Sequence, residues 1–132
     1  MDGDDTWRSL AVVVGIGDYR HPIATLHGAV PDAKGVGRAL GELGYVVKEY
    51  VDGAATRDAL KTLVERGWPI SSERAGYQRL LVYFAGHGAM DEGEGVEGYI
   101  LPHDARHGEV ETFLSMRWLP EAFEGVACHH RL

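Results

Sequence analysis

The sequence is poor in cysteine, since its 132 residues include one, Cys128. A single cysteine cannot form an internal disulfide, which excludes a disulfide-stapled extracellular scaffold and favours a reducing, cytoplasmic location. Structural zinc sites draw on sets of cysteines and histidines at regular spacing. Neither the segment Cys128-His129-His130 nor the group His103, Asp104 and His107 has such a spacing. We therefore expect no metal and no other cofactor.

Basic residues and long apolar runs are scarce as well. Lys and Arg number 13 against 20 Asp and Glu, giving a formal net charge of −7. That balance argues against general nucleic-acid binding, which needs a basic surface. No apolar run approaches the ~20 residues of a transmembrane helix, and the acidic start, residues 1–5, does not resemble a signal peptide. We therefore expect a soluble globular domain without membrane or nucleic-acid partners.

Strands and helices are predicted to alternate within a single domain, residues 7–132, after a short tail, residues 1–6. Apolar residues at three- and four-residue steps predict helices from Pro31 to about Gly44, from Thr56 to about Gly67, and over 115–123. Apolar runs predict strands, which span residues 10–14, 45–47, 79–85 and 99–102. This alternation indicates an α/β fold with a parallel sheet.

Glycine-rich segments follow the first and third predicted strands: Gly15-Ile16-Gly17-Asp18 and Gly86-His87-Gly88. Sites of parallel α/β sheets lie at the carboxyl ends of strands, so His87 stands where chemistry is expected. Its flanking glycines leave the imidazole uncrowded and expose backbone N–H groups, which suits an acid–base group beside an oxyanion site. A non-catalytic turn histidine is the alternative. Gly15-Ile16-Gly17 lacks the third glycine of a dinucleotide fingerprint, so no nucleotide is expected.

Five segments, in chain order, resemble caspase-like and metacaspase-like cysteine peptidases, including bacterial caspase-domain proteins. The segments are Leu10–Tyr19, Leu26–Ala33, Thr56-Arg57, Tyr83–Gly88 and Gly98–Pro102. The resemblance runs from Leu10 to the end of the chain. It implies a caspase-like, parallel-centred sheet flanked by helices and incomplete on its C-terminal side. It also implies hydrolysis of peptide bonds by a Cys–His dyad.

Carried over residue by residue, the resemblance makes His87 the acid–base group and Gly88 an oxyanion donor. It implies that Asp32 and Ala85 line the pocket for P1, the substrate residue before the scissile bond, where a carboxylate pairs with Arg or Lys. Asp32 equally suits the first turn of a helix through the macrodipole alone. Animal caspases carry an arginine at the position of Leu26, which argues against cleavage after aspartate here.

The nucleophile is harder to identify. Cys128 lies 41 residues after His87, whereas caspases separate the two by ~50. It follows no apolar strand and precedes no glycine, so we predict that it is not the nucleophile. We expect a fourth strand to begin at Arg131-Leu132 and the catalytic cysteine to follow Leu132, in the same polypeptide or a separate one. The chain alone is then inactive. A non-catalytic caspase-like interaction module is the alternative.

Acidic residues after His87 raise the question of calcium, which some metacaspases bind. Asp91, Glu92, Glu94 and Glu97 lack the regular spacing of a calcium loop, so solvated charges are the prediction. The partners that the resemblance implies are a peptide or protein substrate and the C-terminal remainder of the domain, which carries the cysteine. In bacteria it also implies fused sensor or repeat domains and roles in regulated cell death or defence.

Overall fold

The computed structural model describes residues 8–65, 77–91, 97–116 and 130–131. Along the chain these form β1 (Arg8–Gly15), α1 (Ala29–Glu42), β2 (Val46–Val51), α2 (Arg57–Glu65), β3 (Tyr77–Ala85), β4 (Gly88–Asp91), β5 (Glu97–Ile100), β6 (Leu114–Ser115) and β7 (His130–Arg131). One sheet has the spatial order β2–β1–β3–β7, with every neighbouring pair parallel. The α/β fold with a parallel-centred sheet flanked by helices is confirmed.

The central strand β1 is buried on both faces. Leu10, Val12 and Val14 pack on one face with Leu60 of α2. Side chains alternate along a strand, so the residues between them pack on the other face, where Ala33 of α1 lies. Because both faces are covered, the strand is continuously apolar rather than alternating with polar residues. The two helices are thereby held on opposite sides of the sheet.

The first helix begins earlier than predicted. It starts at Ala29, two residues before Pro31, so the proline lies in its first turn, where its missing N–H removes no helical hydrogen bond. It ends at Glu42, and Gly44 follows with φ at +96°. That left-handed conformation is readily accessible to glycine, as the predicted helix stop required.

The start of α2 is capped twice. Thr56 Oγ1 accepts a hydrogen bond from the Ala59 N–H at 3.2 Å, which confirms the predicted N-cap. Asp104 Oδ1 accepts a second from the Arg57 N–H at 2.8 Å. Asp104 therefore has a structural role that the sequence did not reveal, because the cap comes from 47 residues away.

A small antiparallel sheet follows the third parallel strand, in the order β4–β5–β6. The strand predicted over 99–102 is shifted, since Leu101 and Pro102 lie buried beyond the end of β5. The helix predicted from Ser115 is wrong at its start, because Leu114 is buried and pairs with Ile100 in β6. Residues 117–123 of that prediction lie outside the described residues.

The predicted fourth strand is present as β7. It runs parallel to β3, with His130 opposite Arg79 and Arg131 opposite Leu80, and begins one residue before the predicted start.

Among the helices of the described ranges, none has the length and apolar character of a membrane span.

Candidate active site

The carboxyl ends of β1 and β3 meet at one edge of the parallel sheet. Gly15 lies opposite Ala85, and the Ile16 N–H donates to the Ala85 carbonyl at 2.8 Å, one residue beyond β1. His87 follows two residues later. The segment between β1 and α1, residues 16–28, lies beside it and is called the β1–α1 loop. Histidine and loop thus meet at the edge where the sequence predicts a site.

The imidazole of His87 is held by a backbone carbonyl. Its Nε2 lies 2.7 Å from the carbonyl oxygen of Ala24, in the β1–α1 loop. A carbonyl can only accept, so Nε2 must carry the proton and donate it. In a neutral imidazole Nδ1 is then the unprotonated nitrogen, which can take a proton and afterwards give it up. The carbonyl fixes the tautomer and hence the atom that can act as acid or base.

The backbone of His87 is anchored on both sides. Its N–H donates to the hydroxyl of Tyr19 at 2.9 Å, and its carbonyl accepts from the Leu101 N–H at 3.0 Å. The Tyr19 ring also lies against the imidazole, with centroids 5.3 Å apart and planes inclined by 53°. The β1–α1 loop and the segment after β5 therefore both determine where His87 sits.

Gly86 is required here by close packing. A Cβ at this position would stand 2.7 Å from Cζ of Phe84 and 3.0 Å from the Tyr19 hydroxyl. A glycine thus lets the tyrosine reach the backbone beside His87. The sequence suggested that the glycines of this motif leave the imidazole uncrowded, and at Gly86 the space is filled by Tyr19 and Phe84.

The β1–α1 loop is itself fastened by two side chains. Asp52 Oδ1 accepts the N–H groups of Gly17 and Asp18, at 2.9 and 3.0 Å. His103 Nδ1 donates to the Asp18 carbonyl at 2.7 Å. Asp52 adopts a φ of 45°, a left-handed conformation that aspartate tolerates better than most residues. Sequence reasoning missed Asp52, Tyr19 and the Ala24 carbonyl, and it considered His103 only as a zinc ligand.

The Tyr19 hydroxyl keeps its proton at neutral pH. Burial raises its pKa above the usual 10.0; the hydrogen bond from the His87 N–H opposes this, and the Asp52 carboxylate adds to the increase. A protonated hydroxyl can accept one hydrogen bond and donate another at the same time.

The other predicted site residues lie at the same edge. Gly88 is exposed and begins β4, and Ala85 is the half-buried last residue of β3. Asp32 is exposed in the first turn of α1, which packs against Gly15 through Ala33. A cavity of about 160 Å³ between the loop and α1 is lined by Gly17, Asp18, Thr25, Leu26, His27, Val30 and Asp52. Cys128 lies outside the described residues.

The metal interpretations gain no support from the described part of the chain. It contains no group of three or more His, Cys, Asp or Glu residues placed to hold a metal ion. His103 and Asp104 instead hydrogen-bond to backbone groups of the loop and of α2. In the acidic segment, Asp91 lies opposite Glu97 in the backbone register of β4 and β5. Glu92 and Glu94 lie outside the described ranges.

Over residues 8–132 the chain matches the family model of the caspase domain, and it therefore belongs to the caspase-domain family. Among solved structures it is similar to protein GSU0716 from Geobacter sulfurreducens, with a TM-score of 0.71 and 18% identity over 94% of this chain and 47% of that one. It is also similar to the Drosophila initiator caspase Dronc, with a TM-score of 0.66 and 20% identity over 87% of this chain and 41% of that one.

The chain thus spans less than half the length of each of these two proteins. At such identities the likeness concerns the fold, and the caspase-like fold is confirmed. A comparison with curated proteins gives no significant match.

Proposed function

We propose that the chain is the histidine-bearing part of a caspase-like cysteine endopeptidase. The observation that carries this proposal is the hydrogen bond from His87 Nε2 to the Ala24 carbonyl, which leaves Nδ1 free for proton transfer. In the reaction Nδ1 takes the proton of the cysteine thiol, and the thiolate forms a bond to the scissile carbonyl carbon. The resulting Nδ1–H gives that proton to the amine nitrogen as the C–N bond breaks. Water then hydrolyses the thioester.

The course of β7 supports a nucleophile that follows Leu132. Arg131 lies opposite Leu80, and β3 continues for five residues from there to Ala85, beside His87. A strand that continues in this register reaches the level of Ala85 about five residues after Arg131. Cys128 precedes β7 in the sequence, and it remains a prediction that Cys128 is not the nucleophile.

The register of the antiparallel sheet supports Gly88 as an oxyanion donor. The Leu101 N–H donates to His87 O, so these two residues occupy a hydrogen-bonding position of the ladder. The next pair, Gly88 and Ile100, is then a non-hydrogen-bonding pair, and the Gly88 N–H points away from β5. On the open side of β4, three residues after Ala85, it can bind a developing oxyanion.

A basic P1 side chain is the substrate feature that we infer. Asp32 is exposed and lies beside Gly28. A Cβ added to Gly28 would lie 3.7 Å from a carboxylate oxygen of Asp32. The small cavity nearby is lined by Leu26, at the position where animal caspases carry an arginine, and by His27 and the two acidic residues Asp18 and Asp52. An edge with carboxylates and no arginine at Leu26 favours Arg or Lys over Asp at P1.

The first experiment is to read the coding frame beyond Leu132 and to assay the complete protein. We expect an apolar strand that ends in a cysteine, followed by a small residue and glycine. His87→Ala should lower kcat/KM about 10²- to 10⁴-fold, whereas His107→Ala, the same change at an exposed histidine in the segment after β5, should leave it unchanged. Retained turnover in His87→Ala would remove this residue from the mechanism.

Two further assays separate the remaining possibilities. The chain of residues 1–132 by itself should not hydrolyse peptides, and cleavage that is lost on Cys128→Ala would contradict the assignment of the nucleophile. A stop codon after Leu132, with no partner chain that supplies a cysteine, would favour a non-catalytic interaction module.

Substrate preference is tested with a P1 peptide library on the complete protein. Asp32→Asn should weaken selection for Arg and Lys, whereas Asp58→Asn, a change in the first turn of α2, should not. Preference for aspartate in the unaltered protein would refute the basic P1 proposal.

A further inference from the structure

The hydroxyl of Tyr19 takes the place of a hydrogen bond between two chain segments. His87 and Leu101 stand one position beyond the first pair of β4 and β5, Gly88 opposite Ile100. The Leu101 N–H donates to His87 O, and in a regular antiparallel ladder the His87 N–H would return a bond to Leu101 O. Instead the His87 N–H donates to the Tyr19 hydroxyl at 2.9 Å, and that hydroxyl donates to Leu101 O at 3.1 Å.

We propose that Tyr19 is a positioning residue for His87. The Tyr19 hydroxyl bridges the two backbone groups of this pair, and the Tyr19 ring packs against the imidazole. The inference deepens the proposed function and rests on it, since His87 is taken as the acid–base residue. Tyr19 touches the backbone and the ring of the same histidine, with the ring centroids 5.3 Å apart. It therefore acts on the reaction through His87.

The hydroxyl is hard to replace because it both accepts and donates. Phenylalanine in its place would leave the half-buried His87 N–H and Leu101 C=O without their partner. If the two segments instead closed to form the direct bond, the His87 backbone would move toward Leu101. Either change shifts the imidazole relative to the Ala24 carbonyl, to which Nε2 is bound at 2.7 Å. The hydroxyl is protonated at neutral pH, as donation to Leu101 requires, and burial raises its pKa further.

The surroundings of Tyr19 fix its position. The preceding residue, Asp18, is bound through its N–H to Asp52 and through its carbonyl to His103. Gly86 provides the space in which the hydroxyl reaches the backbone, since a Cβ there would lie 3.0 Å from it. Because the residue before Tyr19 and the Tyr19 hydroxyl are both held in place, Tyr19 can hold His87 in turn.

The test is Tyr19→Phe in the complete protein, beside Tyr50→Phe as the matched control. Both tyrosines pack against the same core cluster, so the control reports the loss of a hydroxyl elsewhere on that core. We expect Tyr19→Phe to lower kcat about tenfold to a hundredfold, the effect of a displacement of up to ~1 Å at a reacting group. KM should change less than about twofold. Tyr50→Phe should leave both constants unchanged.

Nitrogen-15 NMR of the histidine rings and amides gives a second measurement that does not depend on turnover. In the unaltered protein the neutral imidazole of His87 should be protonated at Nε2 and not at Nδ1, and the His87 amide proton should exchange slowly. Tyr19→Phe should speed that exchange and mix the two tautomers. If the variant does not fold, the unaltered protein still decides, because a fast-exchanging His87 amide would contradict the bond to Tyr19.

The outcomes distinguish the two proposals. If His87→Ala is inactive but Tyr19→Phe matches Tyr50→Phe in kcat and leaves the imidazole spectrum unchanged, Tyr19 is not a positioning residue, while the proposed function stands. A change in KM alone would also overturn the Tyr19 proposal. If His87→Ala keeps its activity, the proposed function fails, and the NMR measurements alone decide whether Tyr19 orients the ring.

Discussion

The centre of the parallel sheet and its carboxyl edge are held by different interactions. In the centre, Leu10, Val12 and Val13 are fully buried between α1 and α2, and their contribution comes from removing apolar surface from water. At the edge, backbone N–H groups donate hydrogen bonds to the Tyr19 hydroxyl and to the Asp52 carboxylate, and these bonds fix His87 and the loop. Substitutions in the centre should therefore affect stability first, and substitutions at the edge should affect the geometry of the site.

The largest effect on stability is expected from Leu10→Ala. The side chain has no exposed surface, so its truncation leaves a cavity and should lower the free energy of unfolding by about 2–5 kcal/mol. Leu43→Ala, at a residue 75% exposed, should change it by less than about 0.5 kcal/mol. Urea denaturation of both variants measures the difference. Equal effects would mean that burial in β1 does not dominate the stability of the fold.

A smaller loss is expected at the edge from Asp52→Ala. Two backbone N–H groups lose their acceptor, which should lower the free energy of unfolding by about 1–3 kcal/mol. Asp52→Asn keeps an acceptor oxygen and tolerates the left-handed backbone, so it should lose less. Asp52→Gly separates the two contributions, because it relieves the backbone at φ 45° but removes the acceptor. A Gly variant more stable than the unaltered protein would show that backbone strain outweighs the hydrogen bonds.

Asp104→Ala tests a polar contact that does not reach the histidine. It removes one acceptor from the start of α2 and should lower the free energy of unfolding by about 1 kcal/mol. Asp104→Asn retains an acceptor oxygen and serves as the control. Peptide hydrolysis by the complete protein should be unchanged in both. A loss of turnover without a loss of stability would show that the contact between Asp104 and the start of α2 also affects the site around His87.

The sequence predicted the centre well because burial leaves a pattern in residue types. A strand covered on both faces is a continuous apolar run, as in residues 10–14, and Gly44 marks the end of α1 through its φ of +96°. The short strands β4 and β6 carry no such pattern. The buried Leu114 and its pairing with Ile100 decided the structure near Ser115, where a helix was predicted.

The edge was predicted only in part, because several of its contacts involve backbone atoms or distant residues. Ala24 contributes a carbonyl, so its residue type carries no signal. Asp52 lies 35 residues from Gly17, but it follows the carboxyl end of β2, and the rule that located His87 also points to it. Tyr19 could have been noticed as an aromatic residue with a polar group directly after the loop glycines. Its bridging position required the register of β4 and β5.

The smallest effect concerns the pH dependence of the contact between Tyr19 and His87. Burial, with a smaller contribution from Asp52, raises the pKa of the folded-state hydroxyl above 10.0. Between the unfolded and folded values the native protein binds more protons than the unfolded chain, so stability falls as the pH rises. The stability of the unaltered protein relative to Tyr19→Phe should therefore be constant below pH about 10 and decrease as the pH rises through the folded value. Urea denaturation of both proteins at a series of alkaline pH values measures this difference. A difference that stays constant or grows above that pH would show that the pKa of the folded-state hydroxyl is not raised, and would contradict its burial.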